Sequence, residues 1–483
     1  MKVLFVVSEC VPFVKSGGLA DVAGSLPKEI FKQGTDIRVI LPKYGLILNE
    51  YKSKMTKKAE FTVKVGWRNQ YCGIEEIEYQ GITYYFVDNE YYFHREKLYG
   101  AYDDGERFAF FNRAVLDALP FIPFYPDVIH CHDWHTGMIP FLLRVEYQAK
   151  KGYEFIRTVF TIHNLQFQGI MPNHALADLL CLSDRHFHVD QLEFYGNINF
   201  MKGAIVAADK ITTVSPTYKN EIQMEHYGEK LHLLLQHRSS DLEGILNGID
   251  ETIYNPENDN FLTESYNHKN LKKKSVNKLH IQKQFGLPIA DKIPLIAMVT
   301  RLTEQKGLDL LHCVFQELMS DNIQMLILGT GDVQYEQFFR EMELAYPNKF
   351  RAYIGFDEGI AHQIYAAADL FLMPSKFEPC GLGQMIAMKY GAIPIVRETG
   401  GLNDTVQSFN EGTGKGNGFS FKHFNAHDML FTIQRALSFY RDESCWNVIV
   451  INAMTMDYSW ARSAYQYNCL YAEIISRSES HVF

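Results

Sequence analysis

The sequence predicts an α/β protein of two doubly wound domains, each a largely parallel sheet covered by helices. Three observations carry that expectation. Short apolar runs alternate with longer helical patterns, the signature of βαβ units. The alternation stops after Asn247-Gly248-Ile249-Asp250, gives way to a polar stretch with lysines over 269–283, and restarts at residue 295. Several strand candidates also run straight into loops carrying glycine, histidine, lysine or arginine, where a parallel sheet gathers its ligand chemistry. At roughly 150 residues per domain the 483-residue chain could hold three, but a single interruption near residue 245 fits two better.

In chain order, residues 2–7 form the first strand, a helix covers about 20–33, and 37–41 form the second strand. The first apolar run is interrupted by Ser8 and Glu9 and lacks a small-residue cleavage pattern, so it reads as a strand and not a secretory signal. Residues 61–87, broken at Gly73 and Gly81, alternate like antiparallel ribbons. Buried-strand candidates follow at 128–131, 159–162 and 211–214. In 269–283, Leu271, Val276, Leu279 and Phe285 interleave with the lysines, which favours an amphipathic surface helix over a nucleic-acid contact. The second half offers strands at 295–299, 325–328, 352–354, 370–373 and 393–396, and an amphipathic helix at 459–475.

Composition narrows the function classes. With 47 % hydrophobic and 22 % charged residues the chain is too apolar for intrinsic disorder. Lys+Arg 47 against Asp+Glu 57 gives a net charge of −10, which argues against general affinity for nucleic acid or anionic membranes. An anionic ligand would therefore need a local basic pocket. No apolar run approaches the roughly 20 residues of a membrane helix, and a soluble, cytoplasmic protein is expected. Eight cysteines without a C-x-x-C read as reduced thiols, not as a disulfide scaffold or a thiolate zinc site.

Candidate chemistry sits at strand ends. Lys15-Ser16-Gly17-Gly18-Leu19 follows the first strand and opens the first helix. That position offers backbone N–H groups to an anion, the glycines permit close approach, and the lysine adds charge. The loop is neither G-x-G-x-x-G nor a P-loop, so nicotinamide and P-loop assignments lose their main support. In His130-Cys131-His132-Asp133-Trp134-His135, period two puts His130 and His132 on one strand face. Two histidines there could bind zinc, or could line a polar cleft with Trp134 as a sugar-stacking or packing surface. The cleft is favoured, because no other Cys, His or carboxylate set completes a ligand spacing. His163-Asn164 ends the strand 159–162 and is a hydrogen-bonding or proton-handling candidate in the same crevice. In the second half, Arg301 and Lys306 lie in the loop Thr300 to Gly307, and two cations between strand and helix suit a diphosphate. Glu378 precedes Cys380-Gly381-Leu382-Gly383 at another strand-to-helix turn, a carboxylate for a sugar hydroxyl beside amides for a phosphate.

Together these residues resemble the bacterial glycogen synthases and plant starch synthases, retaining glycosyltransferases with two facing Rossmann-like domains of GT-B type and the active site in the cleft between them. The matching pieces run in family order: Lys15-Ser-Gly-Gly-Leu-Ala-Asp21, His132-Asp-Trp-His135, His163-Asn164, Ser215-Pro216, Asn247-Gly-Ile-Asp250, Arg301-Leu-Thr-Glu-Gln-Lys306-Gly, Leu328-Gly-Thr-Gly-Asp332, Glu378-Pro-Cys-Gly-Leu382 and Thr399-Gly-Gly-Leu402. Ser459-Trp460, Tyr467 and Leu470-Tyr471 resemble a terminal helix that crosses back onto the first domain. The resemblance implies an acceptor-side domain over 1–245 completed by 457–483, and a nucleotide-sugar-binding domain over 246–456.

It further implies transfer of glucose from ADP-glucose to the non-reducing 4-hydroxyl of an α-1,4-glucan, without a cofactor or metal. Arg301 and Lys306 would neutralise the departing diphosphate, and Glu378 would bind the transferred glucose. His163 would hydrogen-bond that glucose near the leaving oxygen. Lys15, Gly18, Asp21 and Asn247 would contact the donor, with the turn Gly381, Leu382 and Gly383 at its phosphates. His132, Asp133 and Trp134 would line the acceptor side. Gly383 departs from the family pattern, where Thr or Ser is common. Closure of the cleft is expected, hinged near 242–247 and 456–459. The alternatives are a related sugar-nucleotide transferase with another acceptor and a non-catalytic glucan-binding homologue, which a transfer assay on glycogen separates.

Overall fold

The structure, a computed structural model, describes residues 1–479, with side chains to 476. The chain divides into two compact units, Met1–Asn247 together with the helix Trp460–Glu479, and Gly248–Ser459. The last residues of the expected terminal segment, 480–483, lie outside the described residues.

The first unit contributes, in order, β1 (Lys2–Val6), β2 (Asp36–Pro42), β3 (Thr56–Val65), β4 (Arg68–Tyr79), β5 (Ile82–Asp88), β6 (Val128–His132), β7 (Arg157–Ile162), β8 (Ile170–Pro172), β9 (Glu193–Phe194), β10 (Asn197–Asn199), β11 (Lys210–Thr213) and β12 (Leu242–Gly244). Its main sheet has the order β12-β11-β7-β6-β1-β2-β5-β4-β3, and a small sheet pairs β8-β10-β9. β4 runs antiparallel to β3 and β5, and the other neighbours in the main sheet are parallel. β1 shows why: Val3, Leu4, Phe5 and Val6 are all inaccessible, so both faces of the strand are covered, as a parallel sheet requires. The helix Trp460–Glu479 packs on the first helix, Gly18–Lys32, with Gln33 Nε2 donating to Ala461 O at 2.9 Å and Tyr467 and Tyr471 buried.

The second unit holds β13 (Leu295–Val299), β14 (Gln324–Gly329), β15 (Phe350–Ile354), β16 (Leu370–Met373), β17 (Ile393–Arg397) and β18 (Phe419–Phe421), all parallel, in the order β15-β14-β13-β16-β17-β18. Both units are thus doubly wound, as the alternation predicts. Strand order reverses beside β1 in one and between β13 and β16 in the other, and such reversals open ligand crevices at strand carboxyl ends.

Three expectations change. The ribbon spans Thr56 to Asp88 with turns at Gly66-Trp67 and Gly81, whereas Gly73 lies inside β4. Residues 242–244, expected in a hinge, form β12 and pair with β11 at the edge of the sheet. The lysine-rich helix forms at Lys274–Gln284, but turns lysines inward: Val276 is exposed while Lys274 and Lys278 are buried. Remote acceptors explain this. Lys278 Nζ sits 2.7 Å from Asp369 Oδ2, and Lys274 Nζ donates to Ala366 O at 2.7 Å. Burial pushes the Lys274 ammonium down to about 7. Among the described residues no helix is long and apolar enough to cross a membrane.

Candidate active site

In the second unit the candidate residues converge on one short turn. After β13 the chain makes a single turn at Glu304–Lys306 and enters the left-handed region at Gly307, φ 70°. Only glycine fits there, because a Cβ would lie 2.0 Å from Pro374 O. That close approach locks the loop to the one after β16: Lys376 N donates to Gln305 O at 2.9 Å, and Lys376 Nζ pairs with Glu304 at 2.8 Å. Lys306 and Glu378 therefore meet, Nζ to Oε2 at 2.7 Å, and Ser375 Oγ donates to the same oxygen at 2.9 Å. Arg301, four residues past Ala297 of β13, is exposed.

The turn bearing Glu378 is braced from β17. Arg397 Nε donates to Ser375 O at 2.9 Å, and its guanidinium also reaches Lys376 O. Gly400, φ 44°, presses so close that a Cβ would stand 1.9 Å from Glu378 O, and Gly401 N donates to that carbonyl at 3.1 Å. Gly381 also has positive φ, and Gln384 Nε2 donates to its carbonyl at 2.8 Å. At Gly383 a Cβ would lie 3.3 Å from the Phe371 ring and 3.5 Å from Tyr365 Oη, so the missing hydroxyl side chain matches a tightly filled site.

In the first unit, Lys15 Nζ pairs with Asp21 Oδ1 at 2.8 Å, and Gly18 opens the first helix. Two of the loop amides offered to an anion are already taken: Ser16 N and Gly17 N donate to Glu9 Oε2. Glu9 is buried, and desolvation raises its carboxyl above the usual range. Asn247, the last residue before the chain enters the second unit, is buried.

The histidine that ends β6 and the one that follows β7 form a pair. His132 Nδ1 and His163 Nε2 are 2.9 Å apart, so one donates and the other accepts. Burial lowers both, His163 to about 3, and holds them neutral at ordinary pH. Asp133 supplies the geometry. It sits at φ 55°, unusual for a non-glycine residue, and its Oδ1 accepts from His163 N at 2.8 Å and Asn164 N at 3.4 Å. Burial pushes the Asp133 carboxyl up to about 7.

His130 and His132 do share a face, with rings 4.1 Å apart. That face is covered: His130 bonds Tyr471 Oη and Thr161 Oγ1, each at 2.6 Å, so it ties the terminal helix to the sheet. Trp134 is packed into the unit. It is 8 % exposed, lies against Phe108, and a Cβ on Gly169 would strike its ring at 2.3 Å. Among the described residues no group of three or more His, Cys, Asp or Glu is arranged to hold a metal ion.

Residues 2–237 match the family described as starch synthase catalytic domain, and residues 280–444 match glycosyl transferases group 1. Glycogen synthase of Anoxybacillus flavithermus is 65 % identical over 482 residues, covering 100 % of both chains. The chain belongs to the glycogen synthase family. It is accordingly a glycosyltransferase. Glycogen synthase of Geobacillus thermodenitrificans, another family member, is 65 % identical over 479 residues and 99 % of each chain. The solved catalytic domain of starch synthase IV from Arabidopsis thaliana, bound to ADP and acarbose, superposes with TM-score 0.92 at 35 % identity, covering 98 % of this chain and 99 % of that one.

The family motifs name Glu378 and Lys306 but leave their supports unannounced. Ser375 and Arg397 were legible only as a serine and an arginine at strand ends, and Glu9 as an interruption of an apolar run. A carboxylate eight residues before a glycine pair is the one local signal that could have exposed Glu9.

Proposed function

We propose that this chain transfers glucose from ADP-glucose to the non-reducing 4-hydroxyl of an α-1,4-glucan, with retention at the anomeric carbon. One observation carries the reading: an ammonium, a hydroxyl and a carboxylate meet at Glu378 Oε2 beside the strand-order reversal of the second unit. Relatives named glycogen synthase, and a starch synthase domain bound to ADP and acarbose, support the choice of substrates.

Lys306 has three N–H donors and gives one to Glu378, which leaves two for phosphate oxygens. Arg301 adds a planar fork for the same diphosphate. Glu378 keeps Oε1 for hydroxyls of the transferred glucose, and amides at Gly381, Leu382 and Gly383 serve the phosphates. From the first unit, Lys15 and Gly18 hold the donor, and Asp21 and Asn247 contact donor or glucose. His163, neutral and fixed by His132 and Asp133, gives a hydrogen bond and not a proton to the sugar.

In the reaction the bond from the anomeric carbon to the diphosphate oxygen breaks, and its electron pair leaves with the diphosphate. The acceptor oxygen bonds the same face of that carbon, and its proton passes to the departing diphosphate. Positioned cations in a dry site stabilise the charge that separates, and the reading requires no metal ion. Cytoplasmic residence accords with the buried free thiols of Cys10, Cys72 and Cys131.

The test supplies glycogen with radiolabelled ADP-, UDP- or GDP-glucose, with and without EDTA. ADP-glucose should give the fastest incorporation into α-1,4-linked ends, undiminished by EDTA. No incorporation from any donor by folded protein overturns the activity, and a preference for UDP-glucose overturns the donor. Loss in EDTA that Zn²⁺ restores overturns the metal-free reading.

A further inference from the structure

We propose that the first unit carries a second ligand site, for a small phosphorylated metabolite, at the amino-terminal end of β7, the end opposite His163. A cavity of about 550 Å³ opens there, lined among others by Arg144, Gln148, Arg157, Asp209 and Arg238. Arg157 is the first residue of β7, whereas His163 follows its last, Ile162. Six residues of strand separate the two places by roughly 20 Å.

The charges do not cancel locally. Asp209 is fully engaged: Oδ2 accepts Thr158 N at 2.7 Å and Thr158 Oγ1 at 3.1 Å, while Oδ1 takes Arg157 at 3.3 Å. Arg238 is also engaged, with Asp241 at 3.1 Å and with carbonyls at the end of the helix Phe200–Ala207, Val206 O and Ala208 O, which it shields. Arg144 is different. It is exposed and, among the described residues, makes a single long contact, 3.4 Å to Val206 O. Arg157 Nε is buried and, among the described residues, has no acceptor. Three guanidinium groups against Asp209 and Asp241 leave the neighbourhood positive, in a chain whose net charge is −10.

The backbone is also unusual there. Residues Leu143–Tyr147 form a π-helical turn, and Gln148 N donates to Leu143 O at 2.8 Å, five residues back. Such turns are rare and concentrate at functional sites. This one brings Leu143 and Gln148 one turn apart and sets both, with Arg144, on the cavity wall. A fork-shaped cation, a side-chain amide and an unpaired N–H suit phosphate oxygens. The volume exceeds a bare phosphate, and Leu143, Ile156 and Val206 leave room and apolar contact for the rest of a sugar-sized body. Among the described residues no aromatic ring lines the cavity, so a glucan chain would find no stacking platform.

The test is calorimetric titration of the full chain at fixed ionic strength with fructose 1,6-bisphosphate and, separately, inorganic phosphate. Saturating ADP is present throughout to occupy the donor site. Saturable binding of the sugar phosphate, weakened at least about tenfold by Arg144→Ala and only partly by Arg144→Lys, supports the site. Gln148→Ala, which removes no charge, should weaken it less. Circular dichroism checks that each variant is folded. Equal affinity for inorganic phosphate would overturn the sugar-sized body. No saturation by either probe, or an Arg144→Ala variant that binds like the parent, would overturn the site itself.

Discussion

Replacing Lys306 by Met tests whether this lysine acts on the departing diphosphate or merely holds Glu378. The structure separates the two roles by magnitude. The ion pair is short, 2.7 Å, and both side chains are largely shielded, at 14 % and 8 % exposure. Deleting one partner of a fully buried pair costs about 3–5 kcal/mol, and a hydrogen bond to a charged group is worth about 1.5–3 kcal/mol. Glu378 keeps Ser375 Oγ and some solvent, so the variant should lose about 2 kcal/mol of stability. Glu378→Gln removes the charge that needs a partner, and the double variant should recover part of that loss. A coupling of about 1–2 kcal/mol is expected from the cycle by urea titration.

Catalysis should lose more. If Lys306 neutralises charge that grows as the diphosphate leaves, kcat should fall by roughly two to four orders of magnitude, or about 3–5 kcal/mol of transition-state stabilisation. That exceeds the ground-state pair, so holding Glu378 cannot account for it. Lys306→Arg, which keeps the charge, should restore part of the rate with little change in KM. The assay is initial-rate transfer from ADP-glucose to glycogen. A Lys306→Met enzyme within tenfold of the parent kcat would refute the charge argument, and a coupling below about 0.5 kcal/mol would refute the pair.

Arg301→Ala should lower kcat by roughly two to four orders while leaving the urea midpoint unchanged, because the residue is exposed; a shifted midpoint would assign it a structural role. Trp134→Phe should lower the melting temperature without raising KM for glycogen, since Trp134 is buried against Phe108; a KM effect alone would support the stacking role. Asp133 titrates near 7 in the fold against about 3.9 unfolded, so the native state binds the extra proton between those values. Its contribution to stability should therefore fall as pH rises from about 4 to 7, and Asp133→Asn should flatten that slope in urea titrations; parallel pH profiles would contradict the assignment.

How much of this was readable in advance follows from where each constraint originates. The strands of both sheets were legible because parallel strands buried on two faces must be continuous apolar runs, as Leu295–Val299 and Leu370–Met373 are. The loops that follow were legible because their chemistry is written in adjacent residues: Lys306 beside Gly307, Glu378 beside Cys380 and Gly381. The partners that fix those loops were not. Arg397 acts on Ser375, and Glu9 on Ser16, only after the strands are side by side, so no local pattern announces either.

The lysine-rich helix shows the same limit from the other side. Amphipathic reasoning assigns a helix its inward face from apolar spacing alone, and on that rule Val276 should face the core. The rule assumes that a buried ammonium has no acceptor. Here Asp369, which precedes β16, stands 2.7 Å from Lys278 Nζ, and Asp291 O accepts from the same nitrogen at 2.6 Å. A paired, fully hydrogen-bonded lysine can occupy the interior where an unpaired one cannot. Once the sheet brings those acceptors to the helix, the charged face becomes the better one to bury. A residue's inward or outward sense is therefore a property of the assembled sheet, and the sequence carries it only through residues some ninety positions apart.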